Sequence, residues 1–157
     1  MEGQRYQADL DAGNEAFERL CKPMEAEITR LKSNKKKAWN PRKVFLFGNH
    51  EIRADRVASN DPKLYGFVGS ENCNVRDWER HPFLERVWID GVCYSHYFQN
   101  THSARPIGGG VENRLAKIGS SFIQGHEQGF KPGVKELANG KTIRGIIAGS
   151  CYLHVEP

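Results

Sequence analysis

The chain has 157 residues, 38% of them hydrophobic and 27% charged, and its 23 Lys and Arg against 19 Asp and Glu leave a net charge of +4. That balance excludes disordered, collagen-like and membrane-spanning polypeptides, and its mixed signs do not announce a nucleic-acid binder. A chain of this size buries roughly 70% of the surface its unfolded form exposes, so it needs neither disulfide nor metal to fold. Residues 1–157 are therefore expected to form one domain, helical over 1–38 and built on a sheet over 43–157. Cys21, Cys73, Cys93 and Cys151 lie far apart with no C-x-x-C pair, which reads as reduced, buried thiols. No run nears about 20 apolar residues and the start is not an apolar signal peptide, so the expected setting is cytoplasmic, with no membrane contact.

From Arg5 to Lys35 apolar residues recur at helical spacing (Leu10, Phe17, Leu20, Met24, Ile28, Leu31), and Pro23 predicts two helical stretches meeting there. Residues 34–42 form a polar loop holding Lys35, Lys36, Lys37 and Arg42, with Lys43 next. Val44-Phe-Leu-Phe47 is too short for a helix and reads as a buried strand, central and parallel. It ends in Gly48-Asn-His-Glu51, and the next residues to Ser59 look helical. Residues 61–82, rich in Pro, Gly and aromatics, predict turns and short helices. Arg86–Ile89 and Val92–His96, joined by Asp90-Gly91, predict a hairpin with a tight primed turn. A glycine loop, Arg105-Pro-Ile-Gly-Gly-Gly110, leads to a short helix over 112–118 and a strand over 121–124. Asn139-Gly140 marks a second hairpin between Val134–Leu137 and Ile143–Ala148. The class is mixed α/β, strand-rich after residue 85.

Three predicted strands end in histidine: Phe47-Gly-Asn-His50, Cys93-Tyr-Ser-His96 and Ile123-Gln-Gly-His126. Side chains at strand ends gather on one rim of an α/β sheet, where ligands bind. Imidazoles presented together suit Zn, Mn or Fe. Arg53, three residues after His50, falls on the same face of a helix beginning there, a position suited to phosphate, and the loop from Arg105 to Gly110 could cradle an anion with backbone N–H groups. His81 and His102 read as surface residues, and His154 as a residue flanking the site. Trp78, Trp88 and Tyr94 read as packing residues.

A strand followed by G-N-H-E, then a strand ending in His, then a strand followed by G-H-x-[HQ], resembles the calcineurin-like metallophosphoesterases over residues 43–128. From Gly3-Gln-Arg-Tyr6 to Ala148-Gly-Ser-Cys-Tyr-Leu-His154 the chain is more particularly similar to the family's phage-encoded branch, whose cytoplasm is that of the host cell. The resemblance implies a four-layer α/β/β/α sandwich and hydrolysis of phosphate mono- or diesters by divalent metal ions, Mn²⁺ first, with Zn²⁺, Fe²⁺ or Ni²⁺ as alternatives. It implies Asn49, His96, His126 and Gln128 as metal ligands and His50 as the catalytic group at the leaving oxygen; Arg53 and Arg105 are the substrate-binding candidates on the positions given above. Nucleotide or nucleic-acid substrates are slightly favoured by the basic run. The family's upstream D-x-H and G-D-x-x-D strings are absent, so the chain resembles the C-terminal part of a longer phosphoesterase, N-terminally truncated. Asp9, Asp11 and Asp55 do not replace those strings. Three neutral ligands leave a dication's charge uncompensated, which predicts weak or no activity for the chain alone. Two alternatives follow: a non-catalytic remnant or subunit that needs a partner, self-associating through the unpaired edge of the 44–47 strand, and a basic nucleic-acid-binding module.

Overall fold

A computed structural model describes residues 5–150, so the expectations placed on Gly3, Gln4, Cys151 and His154 fall outside the described residues. Contacts divide the chain into two compact units, one comprising residues up to Phe45 together with Glu51–Arg80, the other Leu46–His50 together with the chain from His81 onward.

The first unit is helical. Helix α1 runs unbroken from Tyr6 to Ser33 with Pro23 inside it, which corrects the expected break. Proline removes one backbone donor, and on an exposed position flanked by good helix formers the remaining bonds carry the helix through. The Tyr6 hydroxyl donates to Gly69 O at 3.2 Å and accepts from Gly69 N–H at 3.1 Å, and the Phe17 ring meets Phe45 and Trp78 edge-on at 5.7 and 5.1 Å. Helix α2 spans Glu51–Asn60, and two short 3₁₀ turns follow at Pro62–Leu64 and Ser70–Asn72. Asp55 accepts from Ser70 N–H at 2.6 Å. The basic run is partly neutralised: Arg42 pairs with Glu79 at 2.7 Å, and Lys43 pairs with Asp77.

Strand β1 (Val44–Leu46) pairs with β2 (Glu79–His81) in a two-stranded sheet. Lys43 O accepts from Glu79 N–H at 2.9 Å and His81 O from Phe47 N–H at 3.0 Å; both chains advance together, as in a parallel pair. The parallel sense matches expectation. The central position does not: β1 is an edge strand of a two-stranded sheet. A short apolar run signals burial but not which sheet it joins.

The second unit carries a five-stranded sheet in the order β3-β4-β5-β7-β6, from β3 (Val87–Ile89), β4 (Val92–Ser95), β5 (Phe122–Gln124), β6 (Lys131–Glu136) and β7 (Thr142–Ile147). Both hairpins form as the sequence predicts, β3 with β4 and β6 with β7 antiparallel. Asp90 and Gly91 both have positive φ, 49° and 78°, the requirement of the primed turn that Asp-Gly signals. Strands β4, β5 and β7 are mutually parallel, so their C-terminal ends share one edge. Helix α3 (Val111–Ile118) connects β4 to β5 and stops at Gly119, φ 74°, the left-handed cap only glycine takes without strain. Val111 and Leu115 of α3 join Cys93, Phe98, Ile107, Phe122, Ile143 and Ile147 in the core. The cross-strand pair Gly133 and Gly145 makes room for the helix: a Cβ on either would lie 2.7 Å from Val111 Cγ1.

Trp88 lies on the hairpin but is 56% exposed, so it is no core residue. Tyr94, Ile123 and Ile146 form a cross-strand row of the five-stranded sheet, alternating with the buried face, and are half-buried. The class is thus mixed α/β, and no helix among the described residues is long and apolar enough to cross a membrane.

Candidate metal centre

The shared edge of the parallel strands decides where the histidines go. Ser95 of β4 is in register with Gln124 of β5, so the residues after them, His96 and Gly125-His126, leave the sheet side by side. The buried Ser95 hydroxyl donates to Tyr97 O at 3.1 Å and fixes the exit of β4. His126 sits at φ 68°, with Glu127 N–H donating to Gly125 O at 2.8 Å across it. This is a three-residue turn that few side chains other than small polar ones or His occupy.

Asn49, two residues after Phe47, completes a triangle. His96 Nε2 lies 2.7 Å from Asn49 Oδ1 and 3.2 Å from His126 Nδ1, and His126 Nδ1 lies 3.2 Å from Asn49 Oδ1. Asn49 Oδ1 can only accept, so in the 2.7 Å contact the proton belongs to His96 Nε2. With the His96 proton on Nδ1 instead, all three atoms offer a lone pair, and their separations can be compared with those around a cation. Ligand atoms about 2.0–2.1 Å from a zinc-sized ion stand about 2.9–3.4 Å apart at angles from 90° to the tetrahedral value. The two contacts of His126 fall in that range, and the third is shorter by a few tenths of an ångström. The residues present therefore fit one divalent ion as a two-imidazole, one-amide set. Among the described residues no group of three or more His, Cys, Asp and Glu is placed to hold a metal, so the set contains no carboxylate.

Aromatic rings brace the triangle. Tyr97 stands 4.9 Å from the His126 ring and 5.7 Å from that of His96, and Phe83 packs at 5.6 Å on His96 and 5.5 Å on Tyr97.

Not every predicted site residue joins this group. Gln128 follows two residues later on the same loop, exposed, with its backbone carbonyl accepting from Ser150 N–H at 3.0 Å. His50 is exposed at the step between Asn49 and α2, and Arg53 is exposed on α2 in the other unit. Arg105 is exposed in the loop before α3, where its carbonyl accepts from Asn100 N–H at 2.9 Å. That loop is tied internally, Asn113 Nδ2 donating to Gly108 O at 2.7 Å, and Glu112 lies against Gly110, which disfavours an anion there. His81 differs from expectation: it ends β2, half-buried, with Nδ1 3.0 Å from Glu85. His102 is exposed, as expected.

Two residues the sequence reading passed over stand behind the triangle. Arg114 of α3, 4% exposed, gives Nη2 to Glu127, whose other carboxylate oxygen takes Lys131 Nζ at 2.8 Å. These two cations, Lys131 first, hold the Glu127 carboxyl below the usual carboxylate range against the opposing effect of burial. A signal existed: Val111, Arg114, Leu115 and Ile118 form an i, i+3, i+4, i+7 stripe, and a charge on an apolar stripe marks a buried partner.

No family model matches the chain, and comparison with curated proteins and with solved structures gives no significant match.

Proposed function

We propose that the chain carries the metal-binding half of a calcineurin-like metallophosphoesterase site, with Asn49, His96 and His126 as ligands of one divalent ion and Gln128 as a weaker ligand nearby. The observation that carries this reading is the convergence of Asn49 Oδ1, His96 Nε2 and His126 Nδ1 within 3.2 Å of one another from three separate segments. A divalent ion, Mn²⁺ by preference, supplies Lewis acidity to a phosphoryl oxygen and an acidified water. Of this unit's side chains, His50 holds a proton for the leaving oxygen. The four-layer sandwich belongs to the same proposal. It is supported by a sheet with apolar side chains on both faces, Cys93, Phe122 and Ile147 on one and Tyr94, Ile123 and Ile146 on the other, as a sheet covered on both sides requires.

The neutral donor set favours a second reading, a subunit whose carboxylate ligands come from a partner chain. Ion pairing of Arg42 and Lys43 removes part of the basic run and with it part of the case for nucleic acid. Turnover of an aryl phosphodiester with added Mn²⁺, beside Asn49→Ala and EDTA-treated controls, tests both readings. Turnover lost in both controls supports the enzyme. Mn²⁺ binding without turnover supports the subunit, and neither binding nor turnover refutes both.

A further inference from the structure

The triangle is only as well formed as the turn that aims His126, and that turn has the less comfortable backbone. His126 at φ 68° is a non-glycine residue in the left-handed region, a conformation that persists where the surroundings hold it. What holds it is visible on each side. Downstream of the turn, Gln128 O accepts from both Ser150 N–H at 3.0 Å and Ser150 Oγ at 3.2 Å. In the turn itself, Glu127 is clamped between Lys131 at the start of β6 and Arg114 inside the α3–sheet layer.

The Arg114 end of this clamp is costly. Its side chain is 5% exposed, and its Nε and Nη1 are buried without an acceptor among the described residues. Burying a guanidinium for one carboxylate, with two of its donor nitrogens unmet, seldom adds net stability over apolar packing of the same volume. Stability alone therefore does not account for it, and geometry does: the residue Arg114 grips is bonded directly to His126.

We propose that Arg114 is a positioning residue, which through Glu127 fixes the turn that aims His126 Nδ1 at Asn49 and His96. This rests on the metal-site reading for its purpose but not for its test. Glu127→Gln keeps the shape and removes the charge; Arg114→Lys keeps the charge; the double variant Arg114→Met with Glu127→Met replaces the pair by packing. Two readouts are taken on the whole chain: the ring-proton contact between His96 and His126 by NMR without metal, and Zn²⁺ affinity by calorimetry. Glu127→Gln and the double variant should lose the ring contact and bind Zn²⁺ about tenfold or more weakly, in the range for groups that orient metal ligands, while Arg114→Lys recovers part of both. A merely structural pair predicts the opposite for the double variant, namely a folded protein with ring contact and affinity restored. Should Glu127→Gln fail to fold, the double variant decides. Retention of the ring contact in the double variant overturns the proposal. Loss of the contact in variants of a chain that never binds Zn²⁺ upholds the positioning and refutes the metal site instead.

Discussion

Gly145→Ala tests how α3 is seated. An added Cβ would stand 2.6 Å from Phe122 Cε1, 2.7 Å from Val111 Cγ1 and 2.9 Å from Phe122 Cζ, where carbon atoms rest about 3.5–4.0 Å apart. Each neighbour would have to retreat by about 0.8 Å or more. Neither can do so freely, Phe122 being 0% and Val111 4% exposed. Overpacking of this kind costs about 1–3 kcal/mol. Against it stands the gain from removing a strand glycine, about 0.5–1 kcal/mol. At the middle of both ranges the steric effect wins, leaving a loss of about 1 kcal/mol. At about 2–4 °C per kcal/mol for a chain of this size, the midpoint of thermal unfolding falls by about 2–4 °C. Urea unfolding of Gly145→Ala, Val111→Ala and the double variant measures the coupling directly, and the double variant should recover at least about 0.5 kcal/mol relative to additivity. A Gly145→Ala protein as stable as the original, or a strictly additive cycle, would refute the close approach of Val111 and Phe122 to this strand.

Pro23→Ala should stabilise the protein by about 1–3 kcal/mol, since it restores a donor inside an unbroken helix; an unchanged unfolding midpoint would argue that α1 is interrupted after all. Cys73 should react with iodoacetamide more slowly than a free thiol at pH 8 and speed up as pH rises further, because burial first, and the charges of Glu51, Asp55 and Glu71 after it, raise its pKa and lower its thiolate fraction. Cys21 and Cys93, each 1% exposed, should be labelled only in denaturant; peptide mass spectrometry reads all three. His126→Ala should weaken Mn²⁺ binding by about tenfold or more with no change in the far-ultraviolet circular dichroism; binding unchanged would remove His126 from the metal set. Phenylphosphonate should tighten Mn²⁺ binding, followed by the free-ion electron spin resonance signal, by about fivefold or more, and Mn²⁺ should tighten phenylphosphonate binding by the same factor; independence of the two would refute a shared site.

Legibility in the sequence followed the range of the signals. Asp90-Gly91 and Asn139-Gly140 dictate backbone angles to their own residues, and both hairpins stand where those pairs put them. The meeting of His96 and His126 was also readable, because a parallel pair places its C-terminal strand ends on one edge whatever the details of its packing; Asn49 follows β1, which belongs to the other sheet, so that rule does not account for its place beside them. The failures are contacts made at a distance. Pro23 carries a strong local rule that a long helix overrode. Val44–Leu46 is apolar enough for any buried strand, and nothing in it specifies β2 over the five-stranded sheet. Gly133 and Gly145 carry no turn signal, since what they accommodate is a side chain from α3, more than twenty residues upstream. Arg114 was visible as a charge on an apolar stripe, but its partner Glu127 lies on the next loop and becomes its neighbour only through the β4-α3-β5 crossover.

The charges around the triangle bear on what it can accept. Its donors are two imidazoles and an amide, all neutral, and a dication placed among them keeps its full charge in a partly buried setting. Glu127, the carboxylate next in sequence to His126, cannot neutralise it, because both its oxygens are committed, one to Arg114 and one to Lys131. Releasing the oxygen held by Arg114 would strand a guanidinium whose side chain is 5% exposed and whose Nε and Nη1 have no acceptor among the described residues, so that engagement is stiff. The compensating negative charge must then come from outside the described ligand set. A partner's carboxylate or an anionic substrate would serve equally, and the two separate cleanly: a phosphonate that tightens Mn²⁺ binding does so at a fixed increment per site, whereas a carboxylate from a second chain makes Mn²⁺ affinity rise with protein concentration. Metal titrations at low and high protein concentration, each with and without phosphonate, therefore distinguish an enzyme site completed by its substrate from one completed by another chain.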